Sequence, residues 1–326
     1  MIDADGARAL LTAVLAESGM QPEFASGPTR LEGGKSAELF TFCLSAGPPD
    51  ITGPELVLRI PARRDWLVEC VVQATVAELG FSTPPALRFG RHADHGVFLV
   101  MPRIPGSALF ESTGLRRSLR EVPARLAELL VDLHDLDPTP TRAALQLESG
   151  WQLVDQTLAD IEAVARRSAP LTAVHDWLTA RRPDDGADVA CHGDLHAFNV
   201  LIHDEMTAVL DWELAGLAPR AFDVARTRLL LHAVPMELPR PVRPLIERLG
   251  RRTADRFERS YSTRRPIAPS TVLWHETLHA TRIVALLEES ATTPMAPAVA
   301  DGWRPTLPLL RRIIARSTGI VVEPGG

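Results

Sequence analysis

The 326-residue sequence predicts an α+β chain in two parts. A small, mostly antiparallel β-sheet with one inserted helix occupies 1–103, and a larger, mainly helical part occupies 104–326. Three observations carry this reading. Short apolar–polar alternation, the mark of half-buried strands, recurs through the first hundred residues. Beyond them, apolar residues return at helical spacing in one long segment after another. The exception is 188–211, where two short apolar stretches flank a polar turn, a hairpin inside the helical part.

The elements follow in order. ADGARALLTAVLAESG (4–19) keeps helical spacing and stops at Gly19. Strands are expected around 24–32, 38–44 and 55–60, with Gly33 and Gly34 of LEGGKSAE marking a tight turn between the first two. DWLVECVVQATVAEL (65–79) reads as a helix, and Pro84-Pro85 breaks the pattern behind it. Two further strands, 86–90 and 96–101, lead into MPRIPG, whose prolines suggest a hinge. Helices are expected over 121–135, 151–168, 171–182, 240–261, 268–289 and 303–317. The hairpin strands are 199–203 and 207–211, joined by His203-Asp204-Glu205-Met206.

Composition narrows the function. With 35 Lys+Arg against 41 Asp+Glu the net charge is −6, and 45% of residues are hydrophobic. The apolar content is enough for packed cores, so disorder is excluded as the main state. No dense basic stripe offsets the acidic total, which argues against a nucleic-acid partner. Cys43, Cys70 and Cys191 are odd in number and widely spaced, which fits a reducing compartment rather than a disulfide framework. Asp3 and Asp5 stand where a secretory leader carries positive charge, and no apolar run approaches the ~20 residues of a membrane span. A cytoplasmic location without membrane partners is expected. Lys35 is the only Lys and Asn199 the only Asn. Survivors of such depletion tend to do what Arg or Asp cannot.

The densest polar cluster is Cys191-His192-Gly193-Asp194-Leu195-His196-Ala197-Phe198-Asn199, followed by Asp211-Trp212-Glu213. A loop Asp, an amide five residues on and a second Asp after a hairpin form a kinase-like arrangement. Phosphoryl transfer to a hydroxyl needs an acceptor for the hydroxyl proton, and Asp194 is the candidate. It also needs Mg²⁺, a hard cation that wants oxygen ligands. Asp211 offers a carboxylate oxygen, and Asn199 an amide oxygen that adds no charge against a triphosphate.

HGDLHAFNVLI followed by VLDWE resembles the HGDxxxxN…DW signature of the aminoglycoside phosphotransferase-like small-molecule kinases, and the likeness extends along most of the chain. The resemblance implies a bilobal protein-kinase-like fold and transfer of the γ-phosphate of ATP or GTP to a small-molecule hydroxyl. LEGGKSAELF resembles the family's nucleotide-covering loop, which implies phosphate contacts from Gly34, Lys35 and Ser36. ELVLRIP sits like the phosphate-contacting strand, with Arg59 where Lys is usual. Arg keeps a permanent charge and can pair with Glu69, placed like the family's helix glutamate. VFLVMPRIPG is similar to the lobe-connecting hinge, so backbone at Val100, Met101 and Arg103 would meet the base. Asp223, after the DW motif, matches a position expected to be structural.

Other readings compete. His192, Asp194 and His196 resemble a metallohydrolase ligand set, but that leaves Asn199 and Asp211 unexplained. His275-Glu276-Thr277-Leu278-His279 spells the H-E-x-x-H zinc string without an obvious third ligand. Loss of catalysis, suggested by Arg59, would leave a nucleotide-binding module. The acceptor is expected to be an antibiotic or related hydroxylated natural product, with a sugar, choline-like or nucleoside metabolite as the alternative. Glu213 and Glu276 are candidate contacts for a cationic acceptor.

Overall fold

The computed structural model describes residues 2–322 except 17, 18, 20, 32–36, 62–66, 112–114, 147, 149, 150, 205, 234–241 and 293–301, with backbone alone at 115–118 and 290–292. Contacts divide the chain into two compact units. The first comprises 1–108, 139–149 and 200–214, and the second 109–138, 150–199 and 215–326. The α+β class read from the sequence is the one observed.

The first unit is built on an antiparallel sheet of β1 (Glu23–Arg30), β2 (Ala37–Ala46), β3 (Leu56–Pro61), β4 (Arg88–His92) and β5 (Gly96–Pro102) in the order β1-β2-β3-β5-β4. Two helices, α1 (Ala4–Ala16) and α2 (Val68–Glu78), belong to this unit. Strand parity separates the sheet's two faces. Leu10, Leu11 and Leu15 of α1 pack in one cluster with Phe40, Phe42, Leu56, Leu58, Phe98 and Val100. Val97 and Leu99 point the other way and cluster with Cys70 of α2. With helices on both faces, all six β3 residues are buried.

A smaller sheet joins β6 (Ser107–Ala108), β8 (Val200–His203) and β9 (Met206–Val209) in the order β6-β8-β9. The hairpin is tied to the 81–83 segment: Val209 N donates to Ser82 O at 2.8 Å, Thr83 Oγ1 to Val209 O at 2.8 Å, and Trp212 Nε1 to Thr83 Oγ1 at 3.0 Å. These bonds group 200–214 with the sheet unit, whereas a division at 103/104 puts it in the helical part.

The second unit holds α3 (Leu115–His134), α5 (Leu153–Ala165), α6 (Ala169–Ala180), α7 (Arg220–His232), α8 (Arg243–Arg264), α9 (Pro269–Thr292) and α10 (Leu307–Thr318). The short α4 (Pro138–Leu145) follows α3 and crosses into the first unit. One core joins Leu171, Val174 and Leu178 to Leu278, Val284, Leu310 and Ile314. A two-stranded ribbon, β7 (Asp188–Cys191) against β10 (Gly216–Pro219), runs antiparallel beside it. Gly216 fits because a Cβ there would meet the Trp151 carbonyl at 2.5 Å. Among the described residues no helix is long and apolar enough to cross a membrane.

Candidate active site

The loop that leaves β7 at Cys191 is gripped by the first turn of α7. Both oxygens of the buried Asp223 accept loop backbone: His192 N at 2.7 Å and Gly193 N at 2.6 Å. Gly193 has φ +78°, a conformation that favours glycine. His134 Nε2 lies 3.4 Å from Asp223, and its Nδ1 meets the Tyr261 hydroxyl at 2.7 Å. Burial opposes the Asp223 charge, but His134, His192 and the loop N–H bond outweigh it and hold the pKa below the ordinary value.

This grip presents Asp194, whose side chain is 25% exposed. Arg226, one turn beyond Asp223 on α7, donates Nε at 3.1 Å and Nη2 at 2.7 Å to Asp194 Oδ1. Burial pushes the Asp194 carboxyl up, while Arg226, His196 and His192 outweigh that and keep it lowered. Asn199 Nδ2 donates to the Asp194 backbone carbonyl at 3.1 Å. A carbonyl only accepts, so the amide orientation is fixed and Asn199 Oδ1 faces away from that bond. The amide oxygen, not used in that bond, is the kind of neutral oxygen donor a hard cation takes, so the chemistry of Asn199 fits a Mg²⁺ ligand.

In the first unit, strand parity sets Arg59 on the face opposite Leu58 and Ile60, the side where α2 brings Glu69. Arg59 Nη2 lies 3.4 Å from Glu69 Oε2 and 2.8 Å from Asp211 Oδ1. Burial opposes the Arg59 charge, but Glu69, Asp211 and Glu213 more than offset it and raise the pKa. Asp211 adopts φ +65°, left-handed for a non-glycine residue. Its neighbour Trp212 is buried against Phe81, with ring centroids 5.7 Å apart. Asp211, a carboxylate 35% exposed on a fixed backbone, also fits as an oxygen ligand.

Other expected residues fall differently. Gly34, Lys35 and Ser36 lie outside the described residues. The Val100 carbonyl accepts Leu87 N and Arg103 N donates to Glu55 O, both at 2.9 Å, so these backbone groups serve the protein itself. Met101 is half-buried beside Gln73. Glu276 is not a surface carboxylate awaiting a cation: it is buried, with both oxygens on Arg228 Nη1 at 2.5 and 2.6 Å. The zinc string does not converge either. His275 faces Asp185 at 2.5 Å, His279 Nε2 donates to the Phe222 carbonyl at 2.9 Å, and Glu276 goes to Arg228. Among the described residues, the ligand atoms that gather within 4.8 Å are those of His134, Cys191 and Asp223, not His192, Asp194 and His196. Burial keeps the Cys191 thiol protonated, and Asp223 is committed to the loop. Arg226 was missed in the sequence; its one signal is its place three residues after Asp223.

The fold is that of solved small-molecule phosphotransferases. It is shared with a thermostable mutant of the aminoglycoside phosphotransferase APH(4)-Ia, a ternary complex with AMP-PNP and hygromycin B (TM-score 0.60, 16% identity, 90% of this chain and 95% of that one). It is shared also with a macrolide 2'-phosphotransferase type I (TM-score 0.57, 18% identity, 94% and 98%). The family model of the phosphotransferase enzyme family matches residues 49–265, and the chain belongs to that family. It is a small-molecule kinase. An aminoglycoside 3'-phosphotransferase of Streptomyces fradiae is 29% identical over 203 residues, 57% of this chain and 74% of that protein.

Proposed function

We propose that this enzyme transfers the γ-phosphate of ATP or GTP to one hydroxyl of an antibiotic or related hydroxylated natural product. The observation that carries the reading is the held catalytic loop: Asp194 is partly exposed while Asp223 holds the loop backbone at His192 and Gly193 and Arg226 holds one Asp194 oxygen. The acceptor oxygen forms a bond to the γ-phosphorus as the β–γ bridging P–O bond breaks. The nucleoside diphosphate leaves, and the hydroxyl proton passes to Asp194. A carboxylate held below its ordinary pKa is a weak base, so Asp194 acts chiefly by orienting the hydroxyl and takes the proton late. Mg²⁺, held by Asn199 and Asp211, would neutralise phosphate charge. Arg59, braced by Glu69, would contact the phosphates, with Gly34, Lys35 and Ser36 covering them.

The relatives that act on aminoglycosides and a macrolide support an antibiotic acceptor. The test is release of ADP or GDP by the purified protein across aminoglycosides, macrolides, sugars, choline and nucleosides, with Mg²⁺ or with EDTA. Turnover on an antibiotic alone is expected, and turnover on a metabolite alone would redirect the substrate assignment. Asp194→Ala should lose roughly 10²–10⁴-fold in kcat with nucleotide affinity retained. Full activity in that variant removes Asp194 from the mechanism.

A further inference from the structure

The backbone of the catalytic loop is secured without Arg226. Asp223 takes the N–H groups of His192 and Gly193, Thr227 Oγ1 donates to the Leu195 carbonyl at 3.0 Å, and Asn199 N closes the turn on the His196 carbonyl at 2.9 Å. The two Arg226 bonds add nothing to that framework. Both end on a single side-chain atom, Asp194 Oδ1. The guanidinium is itself held: Arg226 is 8% exposed and lies over the Trp303 ring, 5.3 Å from its centroid. Asp194 Oδ2 is left facing His196 Nε2 at 3.6 Å, too long for a hydrogen bond.

A carboxylate on a loop ordinarily samples several χ1 and χ2 settings and offers either oxygen. A buried fork that takes one oxygen twice removes that freedom. We propose that Arg226 is a positioning residue for phosphoryl transfer: it locks the Asp194 carboxylate in one rotamer and reserves Oδ2 for the acceptor hydroxyl. The inference rests on the assignment of Asp194 above. Its chemical sense is entropic. Orientation supplies much of the barrier reduction in phosphoryl transfer, and a second rotamer of the orienting carboxylate would divide the productive population. Arg suits the task better than Lys because its planar fork brings two donors to one oxygen. Asp223 and Arg226, three residues apart on α7, then divide the work. The first sets where the loop runs, and the second sets which oxygen it presents.

The test is a double-mutant cycle of Asp194→Asn and Arg226→Gln, with Arg226→Lys as the conservative variant. Turnover is read with the best acceptor of the panel, or as ADP release from ATP–Mg²⁺ with water as acceptor where no alcohol turns over. Arg226→Gln should lose about 10–100-fold in kcat, with the KM for ATP within about twofold of the parent. Arg226→Lys should recover part of that loss. In the Asp194→Asn background, Arg226→Gln should cost nothing further, because its effect passes through a carboxylate already gone. Equal losses in both backgrounds, or a KM for ATP that rises in step with the loss, would assign Arg226 to general scaffolding and overturn the proposal. If Asp194→Asn is inactive and Arg226→Gln fully active, this inference fails alone. If Asp194→Asn is fully active, the assignment beneath it fails too. Should Arg226→Gln not fold by circular dichroism, Arg226→Lys in both backgrounds carries the same comparison.

Discussion

At the scale of single residues, the site depends on side chains whose backbone or partner is unusual for their type. Asp211 sits at φ +65°, where Asp and Asn are tolerated and Ala is strained by roughly 1 kcal/mol. Asp211→Asn is therefore the informative variant, since it removes the charge and keeps the conformation. With the carboxylate gone, Arg59 keeps Glu69 as its partner, so the buried cation is not stranded. Calorimetry of Asp211→Asn with ATP should show Mg²⁺-dependent binding weakened by about tenfold or more. Magnesium-free binding should change little. Parent-like titrations in Mg²⁺ would remove Asp211 from the metal role.

At the scale of elements, α7 joins the chain's helical packing to its loop chemistry. Asp223→Ala would leave two buried backbone N–H groups without their acceptor, a loss of about 2–5 kcal/mol in urea unfolding. A change below about 0.5 kcal/mol would mean that other groups hold the loop. Elements with strong periodicity were legible in the sequence: α1, β2, β3, α2, β5, α3, α5, α6, α8, α9 and α10 fall near their expected places, whereas α7 (Arg220–His232) was not expected. The β8–β9 hairpin was legible too, because a short apolar stretch on each side of a polar turn specifies it locally. What escaped was set by distant partners. The β7–β10 ribbon pairs Cys191 with Gly216, and neither four-residue strand carries a pattern of its own. α3 begins six residues before the expected 121, and Pro123 lies inside the helix. Asp194, Asn199 and Asp211 stood out as candidates in the sequence because phosphoryl-transfer chemistry favours those residue types in that order. Arg226 did not, because an Arg on a helix announces no partner until α7 is laid against the loop.

At the scale of the whole molecule, the helical unit stores neutral histidines where protonation is costly, and this sets its response to acid. Burial, with Arg228 and Arg251 nearby, pushes His232 at the end of α7 down to about 4 from the ordinary 6.5, against an opposing pull from Asp255. Burial lowers His275 and His279 on α9 as well, although Asp185 partly restores the first. The sign follows from linkage. Between pH 6.5 and about 4 the unfolded chain binds protons at His232 that the folded chain refuses, so stability is full above 6.5 and falls through that window. Asp194 and Asp223, lowered by their partners, extend the loss to still lower pH, while burial raises Glu276, whose protonation works the opposite way. Thermal melts from pH 8 to 4.5 should therefore show Tm level above about 6.5 and falling steadily below it. His232→Gln removes a group that must stay neutral, so its curve should fall less steeply while matching the parent at pH 8. A Tm independent of pH over that range, or a variant that tracks the parent throughout, would show that His232 takes up its proton as readily in the fold as outside it.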